Sequence, residues 1–254
     1  LLATSFVVMA LTACGTTGPS KEELSAQALV GQGRYTEAAE EYLRLAQSAD
    51  APALQRLRLA AASALLDAND VVRARSVLDA TDVSAAPGSI ELTKRMLLAR
   101  IARTEDQPNR VLELLPTGTA TSAEPALARQ VGELRAWAYD STGRFLQAAN
   151  ERVLIDPQFA DSARQADNRQ ALWDSLMQAD VVSLEEARAP PPDVFGGWVE
   201  LATIAIGVQG DPTALEEAIA EWSERYPGHP ASTAVVEGIV EASKTTAEPP
   251  GHVA

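Results

Sequence analysis

Small residues recur along this chain at an interval that suits stacked helical units. Ala26, Ala62, Ala99 and Ala136 are spaced by 36, 37 and 37 residues, and Ala38, Ala74, Val111 and Ala148 keep the same three intervals. Tyr35, Val71, Pro108 and Phe145 lie between them in register, and Tyr42, Leu78 and Leu115 follow before the pattern weakens at Arg152. A period between about 20 and 50 residues marks a repeat array, in which no unit buries its apolar face alone. An alanine-rich chain places small residues at many offsets by chance, but four registers moving together are not explained that way. Composition agrees. The 254 residues include 47 alanines and only 5% aromatics, and alanine loses no side-chain entropy in a helix. No five-residue window alternates like a half-buried strand. The expectation is an all-α chain.

The repeat unit resembles a tetratricopeptide pair, in which a small residue lets two antiparallel helices approach closely and a larger one after the turn fills the groove. The best single match runs from Ala136 through Gly143-Arg144-Phe145 to Ala148, and Gly33-Arg34-Tyr35-Thr36-Glu37-Ala38 follows it nearly as well. Residues 21–157 are therefore expected to form a tetratricopeptide-like right-handed superhelix of antiparallel helix pairs. Ser20-Lys21-Glu22-Glu23 and Ser183-Leu184-Glu185-Glu186 read as capping boxes. Asp156-Pro157 and Asp211-Pro212 read as N-caps before a first-turn proline. Gly33, Pro87-Gly88, Pro116-Thr117-Gly118 and Gly143 read as helix stops. The register fails after residue 157, where Trp173 falls at a position needing a small residue, and Ala189-Pro190-Pro191-Pro192-Asp193 cannot be helical. Residues 158–243 read as an irregular helical continuation, and 244–254 as a linker towards a further domain.

The first thirteen residues are uncharged and mostly apolar, too short to span a bilayer as a helix but suited to the apolar core of a signal peptide. They end in Leu11-Thr12-Ala13-Cys14, which resembles a bacterial lipobox. The resemblance implies cleavage after residue 13, acylation of Cys14, and a flexible tether over 14–20. Gly15 in the second mature position, in place of aspartate, resembles an outer-membrane sorting signal.

The most specific resemblance lies further on. Gly197-Trp198-Val199-Glu200-Leu201-Ala202, followed by Trp222-Ser223-Glu224-Arg225-Tyr226-Pro227-Gly228-His229-Pro230-Ala231, is similar to the end of the N-terminal domain of the LpoA-type activators. These are outer-membrane lipoproteins that activate class A penicillin-binding proteins, with a helical domain followed by one shaped like a periplasmic substrate-binding protein. The resemblance implies that this chain is the helical spacer or scaffold domain, and that its partner is a class A penicillin-binding protein, a peptidoglycan synthase. Read without it, Trp198, Trp222 and Tyr226 are core aromatics at helical spacing, Arg225 is a cation suiting a helix C-terminus, and His229, between Pro227 and Pro230, is part of a rigid interdomain turn.

The sequence offers little for chemistry. A net charge of −14 argues against nucleic acid, which demands a basic footprint. One cysteine and two histidines, His229 and His252, leave no internal disulfide, no Cys₄ or Cys₂His₂ zinc site, and no Ser-His-Asp triad in the folded body. No cofactor is implied. Gly31-Gln32-Gly33 lacks the strand and further glycine of a dinucleotide loop, and Glu37, Glu40 and Glu41 read as a solvated helix face. Asp174-Ser175-Leu176-Met177-Gln178 is only faintly similar to a run found in lytic transglycosylases. The expectation is a non-catalytic regulator. An adaptor for outer-membrane protein or secretin assembly stands as the alternative, and a peptidoglycan lytic enzyme as a distant third.

Overall fold

The computed structural model describes residues 19–121, 123–208, 211–232 and 234–247. Cys14 and the rest of 1–18 lie outside the described residues, as do 248–254. Every regular element among the described residues is helical. One compact unit, ending at Asp82, holds α1 (Lys21–Gly31), α2 (Tyr35–Ala46), α3 (Ala53–Asp67) and α4 (Val71–Asp79). The other, beginning at Val83, holds α5 (Gly88–Thr104), α6 (Pro108–Leu114), α7 (Pro125–Ser141), α8 (Phe145–Ile155), a single 3₁₀ turn (Asp156–Gln158), α9 (Ser162–Gln178), α10 (Val181–Glu186), α11 (Val194–Gly207), α12 (Pro212–Arg225) and α13 (Ala234–Ala247). No helix among the described residues is long and apolar enough to cross a membrane.

The four registers describe real helix hairpins. Tyr35, Val71, Pro108 and Phe145 are the first residues of α2, α4, α6 and α8. All eight residues of the two small-residue registers are fully buried, at 0% exposure. Leu78 and Leu115 are also fully buried, whereas Arg152, which breaks its register, pairs with Asp140 at 2.9 Å.

A fifth register emerges in the turns. Gly33, Asn69, Asp106 and Gly143 carry the positive φ values of these turns, 73°, 61°, 53° and 71°. At each, the next residue's amide reaches back five positions to a carbonyl: Arg34 to Leu29, Asp70 to Leu65, Gln107 to Ala102 and Arg144 to Tyr139, at 2.8–2.9 Å. This is the Schellman closure, which satisfies the last carbonyls of a helix and needs one left-handed residue. Glycine takes that conformation freely, and asparagine and aspartate are the side chains that tolerate it best. Gly143→Ala should therefore cost about 1–2 kcal/mol through backbone strain alone, since no atom lies within 4 Å of the added Cβ. Denaturant titration should show a lower midpoint with an unchanged slope.

Several local expectations are corrected. Ser20 caps α1, accepting from the Glu23 amide at 3.1 Å, but Glu23 does not return the bond to Ser20 as a capping box would. Its carboxylate is buried against Arg56 of α3 in a two-pronged pair at 2.9 and 3.0 Å, and that guanidinium holds the carboxyl below its usual pKa range. Ser183 is not a cap: Asp180 caps α10, accepting from both the amide and the hydroxyl of Ser183. Asp156 is not a cap either, since α9 starts at Ser162 under Asp161. Asp211 does cap α12, through Thr213 and Ala214. Pro87-Gly88 opens α5 instead of closing α4. α13 continues through Ala247, into the stretch read as a linker.

Candidate functional site

The distinctive residues 197–231 converge at the start of α11. Two consecutive glycines make this possible. A Cβ on Gly196 would lie 2.4 Å from the Ala189 carbonyl oxygen, and one on Gly197 would lie 2.6 Å from His229 Nε2 and 3.0 Å from Tyr226 Cδ1. The proline segment therefore lies against one side of the helix, and the turn after α12 against another. Trp222 Nε1 donates to the Gly197 carbonyl at 2.9 Å, and Tyr226 Oη to the Ala189 carbonyl at 3.1 Å. Trp222 stacks on Tyr226 with ring centroids 5.7 Å apart, and His229 meets Trp198, Trp222 and Tyr226 edge-on at 5.0–5.8 Å. Pro227 is exposed and Pro230 half-buried, so these two shape the turn without entering the core.

His229 is the keystone of this arrangement, not an interdomain turn. The Ala231 amide donates to Nδ1 at 3.2 Å, so that nitrogen carries no proton. Nε2, 2.9 Å from the Val194 carbonyl, must then be the donor. The Nδ1 contact holds only for the neutral ring, whereas the Nε2 bond to Val194 survives protonation. Burial pushes the pKa below the usual histidine range; the Val194 carbonyl opposes this and the charge of Arg169 adds to it. The depressed value fixes the sign of the pH dependence. The unfolded chain takes up a proton near pH 6.5 while the folded chain resists, so the full contribution is present above about pH 6.5 and falls away below it. The loss is at most about 1.4 kcal/mol per pH unit. Thermal unfolding at pH 7.5 and 5.5 should show an acid-induced drop in Tm that His229→Gln flattens.

Arg225 does more than complement a helix end. It pairs with Glu200, whose carboxylate is buried and also lies 3.7 Å from Arg188. The signature residues thus use their polar atoms on backbone or on one another. Trp198, Trp222, Tyr226 and His229 are 6% exposed or less, so the cluster offers no accessible nucleophile or proton donor. Asp174-Ser175-Leu176-Met177-Gln178 is the last turn of α9, with Leu176 buried and the Ser175 hydroxyl spent on Asp140 at 2.7 Å. No group of three His, Cys, Asp or Glu suited to a metal ion occurs among the described residues.

Two buried charge networks were not apparent from the sequence. Arg135 on α7, 3% exposed, donates to the carbonyl of Leu115, to Thr117 Oγ1 at 3.0 Å, to Tyr139 Oη at 3.1 Å and to Glu151 at 2.6 Å. Asp156, 7% exposed, accepts from Gln165, Asn168 and Arg169, joining the 3₁₀ turn to α9.

The family model for "LppC putative lipoprotein" matches residues 34–253, which include the helix hairpins from α2 onward and the whole α11–α12 cluster. The chain belongs to this family. Among curated relatives, the "Penicillin-binding protein activator LpoA" of Glaesserella parasuis is 27% identical over 188 residues, 73% of this chain and 32% of that protein. The LpoA of Vibrio antiquarius is 30% identical over 109 residues, 42% of this chain and 18% of that protein. The chain thus spans about a third or less of the length of these relatives. The amino-terminal domain of E. coli LpoA has the same fold, with a TM-score of 0.66 at 17% identity, covering 88% of this chain and 97% of that one. The N-terminal domain of Haemophilus influenzae LpoA gives 0.56 at 21% identity, covering 80% and 91%. Full-length LpoA from the same organism gives 0.58 at 22% identity, covering 77% of this chain and 36% of that one.

Proposed function

We propose that this LppC-family chain is the helical domain of an outer-membrane lipoprotein that regulates peptidoglycan synthesis by binding and activating a class A penicillin-binding protein. The observation that carries this reading is the family match over residues 34–253, whose curated relatives are named penicillin-binding protein activators. The sealed signature cluster supports a role without chemistry of its own: the protein binds, and the covalent steps belong to the synthase. Cys14, acylated, anchors the chain; residues 14–20 are the tether; the helical body is the spacer. The match covers only 32% of the Glaesserella parasuis relative, which favours a further domain carrying part of the synthase contact.

The test is capture of detergent-solubilised class A penicillin-binding proteins by the acylated protein, once as this chain and once as the complete gene product. Retention by the complete product supports the reading, and retention by neither overturns it. Cys14→Ser should move the protein from the outer-membrane fraction to the soluble periplasmic fraction; unchanged fractionation would remove the anchor from the account. Incubation with sacculi should release no muropeptides, and release abolished by a single Glu→Gln change would establish a lytic enzyme instead.

A further inference from the structure

The second unit contains two adjoining cavities, each of about 360 Å³, that share Pro125 and Gln158 in their walls. The first lies beneath the segment from Pro116 to Thr121, against α7 and α8. Its walls are mostly small and apolar, including Ala120, Ala128 and Val131, with the half-exposed Leu154 at the rim. Arg135 and Glu151 also line it, but they neutralise each other, and the guanidinium is further occupied by Leu115, Thr117 and Tyr139. This compartment therefore asks for an uncharged body with small side groups.

The second cavity is built differently. Arg129 and Arg164 line it, their guanidinium carbons 5.3 and 5.7 Å from the Phe159 ring centroid. Each gives one nitrogen to the same oxygen of Glu133, at 2.6 and 3.3 Å. Glu133 is not part of the cavity wall, and Asp161, which is, accepts the Arg164 amide as the cap of α9. Two guanidiniums converging on one wall, with nitrogens beyond those given to Glu133, suit a planar oxyanion, which arginine binds through paired hydrogen bonds. Between the two compartments, Gln158 donates its amide nitrogen to the Leu154 carbonyl at 3.3 Å, while its Oε1 is buried without a partner. A buried acceptor left without a donor is costly, so that position calls for an N–H.

The geometry points to a binding site for the C-terminal end of a short peptide with small side chains. The carboxylate lies at Arg129 and Arg164, a backbone amide donates to Gln158 Oε1, and alanine-sized side chains enter the first cavity. An acyl chain has the apolar body and carboxylate but no N–H. A sugar phosphate has the anion but no apolar body. A peptide terminus supplies all three.

The probe is acetyl-Ala-Ala-Ala with a free C-terminal carboxylate, titrated into the ¹⁵N-labelled chain up to about 20 mM, well above a millimolar Kd. Saturable shifts are expected at amides of 117–121, 129 and 158–164. The C-terminally amidated peptide should bind at least about tenfold more weakly, because a charge-assisted hydrogen bond of about 1.5–3 kcal/mol is lost. Arg164→Gln, at a side chain 57% exposed, leaves the fold intact and should weaken the free acid by a similar factor while leaving the amide unchanged. Gln158→Leu should weaken both peptides. Absence of shifts at the top of the titration overturns the site, and equal binding of acid and amide overturns the oxyanion anchor. Shifts confined to other parts of the chain overturn the location.

Discussion

Trp222→Ala is expected to lower the unfolding free energy of the second unit by about 3–5 kcal/mol, the range for removing a large buried aromatic. Trp222 is fully buried and meets α11 in two ways. Its ring packs on Tyr226 and His229, and its Nε1 satisfies the Gly197 carbonyl. Alanine removes both contributions and leaves a void at the point where two glycines have brought the chain segments together. Trp222→Phe keeps most of the apolar contact and loses the hydrogen bond, so its cost should be smaller, about 1–2 kcal/mol. Hydrogen exchange should show the alanine variant's loss of protection centred on α11 and α12. A cost below about 1 kcal/mol would mean that the cluster is not the structural lock described above.

The second large effect concerns Arg135 and Glu151. Replacing Glu151 alone with leucine should cost about 3–5 kcal/mol, because it leaves a buried guanidinium without its counter-charge. The Arg135 side chain is 4% exposed and that of Glu151 12%, so water does little to screen the pair. The double variant R135M/E151L removes both charges and should recover to within about 1–2 kcal/mol of the wild type, since a buried ion pair is often replaceable by apolar groups of similar volume. Chemical denaturation of the two single variants and the double variant forms a complete cycle. Additive single effects would contradict the pairing.

The sequence reveals the helix hairpins because close packing leaves a periodic trace. Where two helices meet at Ala62 or Ala99, only a small residue fits, and that demand repeats every 36 or 37 residues. The turns carry an equally regular trace, Gly33, Asn69, Asp106 and Gly143. It is harder to see, because three residue types fill one left-handed position. Charges follow no such rule. Arg135 sits one residue before a repeat alanine, where composition gives no sign of whether a cation faces solvent or core; only the approach of Glu151 and the Leu115 carbonyl decides it. Asp156 reads as a cap because proline follows it. The chain instead tightens into a 3₁₀ turn there, and Asp161 provides the cap five residues later. Residues 196–231 announce themselves by composition, a glycine pair at the start and then Trp198, Trp222, Tyr226 and His229, but their purpose becomes clear only in the hydrogen bonds. They are there to close α12 onto α11.

The proposed regulation by binding is the activity to be tested. The most direct measurement is the rate of glycan polymerisation and peptide crosslinking by a purified class A penicillin-binding protein from the same organism. It is made with lipid-linked precursor, with and without the complete gene product carrying this domain. The account predicts a severalfold increase in rate that saturates with the added protein, together with no muropeptide release by the added protein alone. Stable binding with an unchanged rate, or no binding at all, would contradict it.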